Sequence, residues 1–538
     1  MMNRSILISL FALLSFYMGH AQQTPFNVQL QPVDIQGLGG LQSFAFGTHN
    51  GKWLIIGGRL DGLHMRQPFA SFDEAGHNKQ LLVVDPVAKK SWSAATSELS
   101  VSLQEQLSST NMEFHQDGDV LYLVGGYSLS ASLADHVTHD KLCAIKVPEV
   151  IDAIISGQPF ANYFRQISDE SFAVTGGRML KIYDTYNLVG GQKFEGPYNP
   201  MGPNHGPGFV QEYTNSVRRF KIIDDGVNLS VVHLPSFVDS DQLHRRDYNV
   251  VPQIMPNGEE GLTAFSGVFQ KTVDLPYLNC VNVDSAGYTP VNSFSQYYNH
   301  YHCPFIPLFD EFGNEMHNVF FGGIAQFYDS LGILVQDNNV PFVNTIARVT
   351  RDADGNMAEY KLPAEMPGLL GAGAEFIPLD GLPVYENGVI KLNALVEAET
   401  MIGYIYGGIS SSARNIFWIN TGSESTANAR IYEVWLNKNS SNTHTLNTQS
   451  NSSFQLQVFP NPNNGVFSIK FQVKRSEPLW LTMADSSGKQ VFHEKLENLY
   501  EGEHIIRKEI KNLTVGSQYT VTLDSDSERA TVKTIVQE

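Results

Sequence analysis

The chain has 538 residues, 42% of them hydrophobic and 11% aromatic, with 17% charged residues and a net charge of -19. That is ample material for a core, and so negative a protein has little with which to neutralise nucleic-acid phosphates, so a nucleic-acid partner is excluded. Forty-five glycines and 25 prolines mark frequent turns and favour an all-β architecture over a helical one.

The first residues read as an export signal. Arg4 supplies positive charge, Ser5 to Met18 form an apolar stretch too short to span a bilayer, and Gly19-His20-Ala21 is a small-x-small cleavage site. The signal is therefore assigned to residues 1–21, with Gln22 as the first mature residue. No cysteine follows the cut, which argues against a lipid anchor, and no later apolar run reaches membrane-spanning length. The expected product is secreted, extracellular or on the outer-membrane surface, with no transmembrane segment.

From there the chain repeats. A short apolar strand ending in two glycines appears as WLIIGGR from Trp53, DVLYLVGGY from Asp119, NLVGGQ from Asn187, VFFGGI from Val319 and YIYGGI from Tyr404. TAFSGVF from Thr263 is a weaker copy. The copies lie 56 to 85 residues apart, room for about four strands each. The first unit shows the expected order: two strands joined by His49-Asn50-Gly51-Lys52, a long loop, then QLLVVD and KKSWSA as two more strands. Glycine at the end of the second strand removes a Cβ where neighbouring backbones press together. A further pair, Gly176-Gly177, is assigned to the first strand of the third unit. NVQLQPV from Asn27 is expected beside ARIYEVWLN from Ala429.

These features resemble the kelch type of β-propeller. The resemblance implies a ring of four-stranded sheets over residues 22–436, six-bladed with seven as the alternative, whose first strands line a central channel and whose long loops bind partners. Polar residues assigned to first strands are His115, Arg165, Asn249, His300 and His302, with Arg246 just before one; together they form the candidate ligand site. Arginine with histidine suits an anionic sugar. His300 and His302 would share one face of a strand, yet no third or fourth ligand is nominated beyond His115 or His205, so neither a metal nor any other cofactor is expected. Asp352 to Asn356 begins like a calcium loop, but Met357 and Pro363 occupy the positions of its glycine and glutamate, and it reads as a hairpin turn. The proline-rich stretch Gly196 to Gly208 reads as a rim loop. Cys143, Cys280 and Cys303 are expected to be free and buried.

Residues 437–453, rich in Asn, Ser and Thr, read as a linker, and 454–538 as a small immunoglobulin-like β-sandwich. Its opening, with Pro460, Asn461, Pro462, Asn464 and Gly465, followed by Gly488, Gly516, Tyr519 and Lys533, resembles the C-terminal sorting domain of the type IX secretion system of Bacteroidetes. The resemblance implies the secretion machinery as a partner, passage through the outer membrane, removal of the domain, and surface attachment or release. No nucleophile elbow, P-loop or dinucleotide fingerprint occurs in a suitable setting. The expected function is binding of a glycan or a surface protein without chemistry. The alternatives are a sugar epimerase or mutarotase acting at the channel, and a scaffold for a surface assembly.

Overall fold

The computed structural model describes residues 25–66, 71–199 and 209–438, then 454, 456–459, 463–475, 478–485, 489–496, 499–511, 513–515, 517–525 and 529–536. The expected export signal, the linker beyond Lys438, His205, Pro460, Asn461, Pro462, Gly488 and Gly516 lie outside the described residues.

The protein is all-β, built from small antiparallel sheets. The first sheet is Ala45–His49, Lys52–Ile56, Gln80–Asp85 and Lys90–Ala95, in that order. Its first two strands are joined by Asn50 and Gly51, both with positive φ (50° and 73°), the geometry an Asn-Gly hairpin turn requires. The second sheet is Glu113–Asp117, Val120–Val124, Lys141–Lys146 and Phe164–Ser168. The third is Arg178–Ile182, Thr185–Val189, Ser216–Asp224 and Leu229–Val238, with Gly176 and Gly177 immediately before it. The fourth is Asn249–Ile254, Glu260–Phe265, Cys280–Val283 and Tyr288–Val291.

In the fifth sheet Phe305–Asp310, Glu315–Phe321, Thr345–Arg351 and Met357–Glu365 follow one another, with the short strand Ile390–Lys391 parallel to the first. The sixth combines Ala374–Pro378, Glu399–Gly407 and Ile431–Lys438 with the N-terminal strand Phe26–Val33. That last pairing is the expected one: eight consecutive partners run from Phe26 opposite Lys438 to Val33 opposite Ile431. The strand ends slightly beyond the expected boundary at 436.

The second strands are buried on both faces, which explains why their residues are mostly apolar in runs rather than alternating. Leu54 and Ile56 pack with Leu121 and Leu123 of the second sheet, while Trp53 and Ile55 pack with Tyr404 and Tyr406 of the sixth. Further apolar clusters join the second sheet to the third, the third to the fourth, the fourth to the fifth and the fifth to the sixth. The core is thus six layers, one between each pair of successive sheets, and the last meets the first.

The glycine pairs sit in these joints. Gly125 has φ 65°, and a Cβ on it would run into the carbonyl oxygen of Val174 in the approach to the third sheet. Its partner Gly126 donates its N–H to that same carbonyl at 2.9 Å. Gly58, Gly191, Gly323 and Gly408 donate likewise to Ser109, Arg245, Leu370 and Leu41, each in the approach to the next sheet. The weaker copy at Gly267 has no such bond to the fifth sheet among those described.

Two helices interrupt the expected run of strands. Val147–Ser156 has proline in its first turn and ends at Gly157 in the left-handed conformation. Its Val147, Val150, Ile151 and Ile154 fill the layer between the first two sheets. Val101–Leu107 is the second, shorter helix. Asp352 caps the hairpin after Arg351, its Oδ1 accepting from the backbone of Asp354 and Asn356, as expected of a turn.

Residues 457–536 form two sheets, Gln457–Phe459, Val466–Val473 and Gly502–Glu509 against Gln490–Leu496, Leu479–Asp485, Gln518–Asp524 and Arg529–Ile535. Phe467, Ile469, Phe471 and Val473 face inward on alternate positions of one strand and share a core with Leu481, Val521 and Leu523.

Candidate functional site

One residue, one to three positions before each first strand, is held in the same way. Ser43 donates its backbone N–H to the carbonyl of Gly373 (2.7 Å), Gly373 to His302 (3.0 Å), His302 to Asp247 (3.1 Å), Asp247 to Gly176 (2.7 Å), Gly176 to Asn111 (3.3 Å) and Asn111 back to Ser43 (3.1 Å). One residue per sheet contributes one donor and one acceptor, and the six bonds return to their start. Because the backbone does this work, the six side chains are free to differ.

Above this ring lies a cavity of about 400 Å³ whose floor includes Ser43, Asn111, Asp247, His302 and Gly373. Its walls are the hairpins that follow the glycine pairs: Tyr127–Ser130 with Asp135–Thr138, Gln192–Glu195 with Val210–Tyr213, and Ile409–Ser411 with Ser425–Ala427. Aromatic side chains dominate the upper wall. His64 sits among Phe72, Tyr198 and Phe417, with ring centroids 4.9 to 5.5 Å apart, and burial pulls its pKa down to about 4. The loops carrying His64 and Trp418 are tied together, since Asn420 donates to the carbonyls of Leu63 and His64, and Arg66 stacks on Trp418 at 4.3 Å. Trp418 itself is half-exposed at the rim.

Beneath the ring, Arg178 donates through Nη1 and Nη2 to the two carboxylate oxygens of Glu375 at 2.9 and 3.1 Å. His302 Nε2 lies 2.8 Å from Oε1 of the same carboxylate. Burial pushes the Glu375 carboxyl up, but Arg178 and His302 outweigh it and hold it at about 2. The guanidinium rests over Phe114 and Phe305 at 4.9 and 5.6 Å. Glu113, fully buried nearby, accepts from the Gly177 N–H at 2.6 Å, while its Oε2 has no protein partner; burial pushes its pKa up to about 8.

Of the expected site residues, Arg246 and His302 line the cavity. Arg246 is ion-paired with Asp247 and donates to the Tyr213 hydroxyl at 3.0 Å, so its charge is already met; the expectation of an anionic sugar loses its main support. Asn249 instead joins two sheets, donating to the Tyr301 carbonyl and accepting from the Cys303 N–H. His300 is buried away from the cavity, with Nε2 on the Gln296 carbonyl and Nδ1 accepting from Gln326, and burial lowers its pKa to about 4. His300 and His302 do not share a strand face, because both precede the strand that starts at Phe305. His115 lies along the first strand of the second sheet, edge-on to Tyr186. Arg165 is not on a first strand: Phe164–Ser168 is the outermost strand of the second sheet, where Arg165 pairs with Asp224. Asn111, Arg178, Asp247 and Glu375 went unnoticed in the sequence; their only signal is a place just before, or at the start of, a first strand.

Among the described residues, no group of three or more His, Cys, Asp or Glu side chains could hold a metal ion, and no helix is long and apolar enough to cross a membrane. The three cysteines are free and buried. In the C-terminal sheets Asn464 caps the turn into Val466, Gly465 has φ 95°, the buried Tyr519 hydroxyl accepts from the Thr514 N–H, and Lys533 is exposed on the last strand.

Residues 457–537 match the secretion system C-terminal sorting domain. This segment supports export by the type IX system. No curated protein matches the chain by sequence. Solved structures similar to it include YjhT, at 10% identity and TM-score 0.38 over 76% of this chain and 99% of that one. Another is a chain of RAG in complex with one melted and one unmelted RSS, at 11% and 0.37 over 76% and 99%. A third is the Bombyx mori GH32 beta-fructofuranosidase BmSUC1, at 9% and 0.26 over 95% and 89%.

Proposed function

We propose that the chain is a six-bladed, kelch-like β-propeller, exported by the type IX secretion system to the cell surface or beyond, which binds a glycan at one mouth of its channel. The ring of six backbone hydrogen bonds, one residue from each sheet, supports the blade count, and the six interleaved apolar layers agree with it. The observation that carries the binding role is the cavity over that ring, where amides, hydroxyls and one paired arginine converge beneath aromatic walls. Sugars are bound this way, with polar groups on their hydroxyls and ring faces against aromatic side chains.

A second reading, a sugar epimerase or mutarotase, draws on His302, which lines the cavity while its Nε2 meets the Glu375 carboxylate. A glycan-binding screen combined with an NMR assay of anomer exchange separates the two. Binding without turnover is the expected result. Turnover lost in His302→Gln establishes the enzyme, and no glycan binding with a stable protein partner in pull-downs establishes a scaffold. For export, deletion of residues 454–538 should leave the remainder in the periplasm; unchanged surface display refutes the sorting role.

A further inference from the structure

Among the described residues the cavity is closed at its floor. Its floor is the hydrogen-bonded ring, braced by Asn111 Nδ2 donating to Asp247 at 3.2 Å. Directly below, Arg178 bridges from the third sheet to Glu375 of the sixth, its flat faces filled by Phe114 and Phe305. Neither Arg178 nor Glu375 belongs to the cavity wall. A ligand that enters cannot continue along the axis without breaking a buried bidentate ion pair and leaving both charges unmatched.

The wall carries no net charge: Arg246 is paired with Asp247, while Arg414, which equals Asp274 in number, donates to the Phe342 carbonyl at 3.3 Å and leans over Tyr328 at 4.4 Å. The volume, about 400 Å³, is at the small end of the range of about 300–1,000 Å³ for small-molecule pockets and holds about one or two hexose rings.

We infer that this cavity takes the terminal residue of a neutral glycan, inserted end-on, with the next residue passing Trp418 at the rim. The inference rests on the glycan-binding reading above and specifies which part of a glycan, and of what charge, is recognised. An internal stretch of a polysaccharide would need an open groove or a through-channel, and a carboxylated or sulfated end would be favoured by a net positive wall; the two arginines and two aspartates of this wall sum to zero.

The test is an array of neutral and acidic glycans probed with the protein from Gln22 onward, followed by calorimetry with each hit and with its free terminal monosaccharide. Hits should share a neutral terminal residue whatever their interior. The free monosaccharide should bind within about tenfold of the intact glycan, since most of the contact is at the end. Trp418→Ala should weaken the oligosaccharide about three- to tenfold, towards the affinity of the free monosaccharide, and the monosaccharide less than twofold. Hits that share an internal motif, or that require an acidic end, overturn end-on recognition while leaving glycan binding intact. Equal loss for both ligands in Trp418→Ala also overturns the insertion order. No hit at all overturns the binding reading and this inference with it.

Discussion

Arg178 and Glu375, separated by 197 positions in the chain, meet in a two-pronged ion pair beneath the hydrogen-bonded ring. Neither side chain could be buried alone. The guanidinium gains its partner, the carboxylate gains Arg178 and His302, and sheets three and six are joined across the centre.

Removing one member should therefore cost more than removing both. Arg178→Met leaves Glu375 buried with His302 as its remaining hydrogen-bond partner and is expected to destabilise the protein by about 3–5 kcal/mol. Adding Glu375→Leu should recover at least half of that loss, because the orphaned charge goes with it. Urea unfolding of the single and double variants measures both quantities; additive losses would mean that the pair is not coupled.

Glu113 makes stability depend on pH in the opposite sense to an ordinary paired carboxylate. Burial raises its folded-state pKa from 4.5 to about 8, so between these values the folded protein holds a proton that the unfolded chain has released. Stability from this group is complete below about pH 4.5 and falls as pH rises towards 8. Glu113→Gln, which keeps the shape without the charge, should raise the melting temperature at pH 8 and change it little at pH 5. An equal shift at both values would place the proton elsewhere.

Buried neutral histidines act on the acid side. His64 and His300, both pulled down from 6.5 to about 4 by burial, contribute stability that is present above pH 6.5 and lost as pH falls towards 4. Melting temperatures of the wild type and His300→Gln from pH 7 to pH 4 should converge as pH falls; parallel curves would show that His300 takes up its proton without cost.

The two roles of a glycine can be separated by comparing two of them. Gly118 has φ 58° and open space where a methyl group would go, so Gly118→Ala should cost only the left-handed strain, about 1–2 kcal/mol. Gly125 has similar φ but faces the Val174 carbonyl, and Gly125→Ala should cost a further 1–3 kcal/mol or so for the collision. Equal losses would remove close sheet packing as the reason for the glycine pairs.

All three thiols are buried, and burial pushes Cys280 and Cys303 up to about 12. The native protein should show no thiol reactive with an aromatic disulfide reagent within minutes at pH 8, and three after denaturation. A single reactive thiol in the denatured, unreduced protein would reveal a disulfide.

The legible part of the chain is where chemistry admits one residue type. Glycine alone suits the positive φ of Gly125, which faces the Val174 carbonyl, and of Gly126, which faces Ser109 and Met112, and Asn50-Gly51 marks its hairpin by positive φ as well, so both could be read directly. The partnership of Phe26–Val33 with Ile431–Lys438 was legible because each end carried a strand without a neighbour. The floor of the site was not, since Ser43, Asn111, Gly176, Asp247, His302 and Gly373 serve through backbone atoms and share no side-chain signature. Arg165 was misplaced because the helix Val147–Ser156 lengthens the connection before its strand, making the end of one sheet look like the start of the next. His300 and His302 have strand spacing but occupy a bend, where alternate residues need not face the same way.

The pairing of Phe26–Val33 with Ile431–Lys438 also dictates when the molecule can finish folding. It closes a loop of about 400 residues, at an entropic cost of about 5 kcal/mol that no local contact offsets beforehand. Until the last of those residues is available, the first strand of the chain has no partner and presents a bare hydrogen-bonding edge to any other strand it meets. Synthesis and transport therefore leave this segment exposed until the six-sheet body closes, which joins the first of its strands to the last.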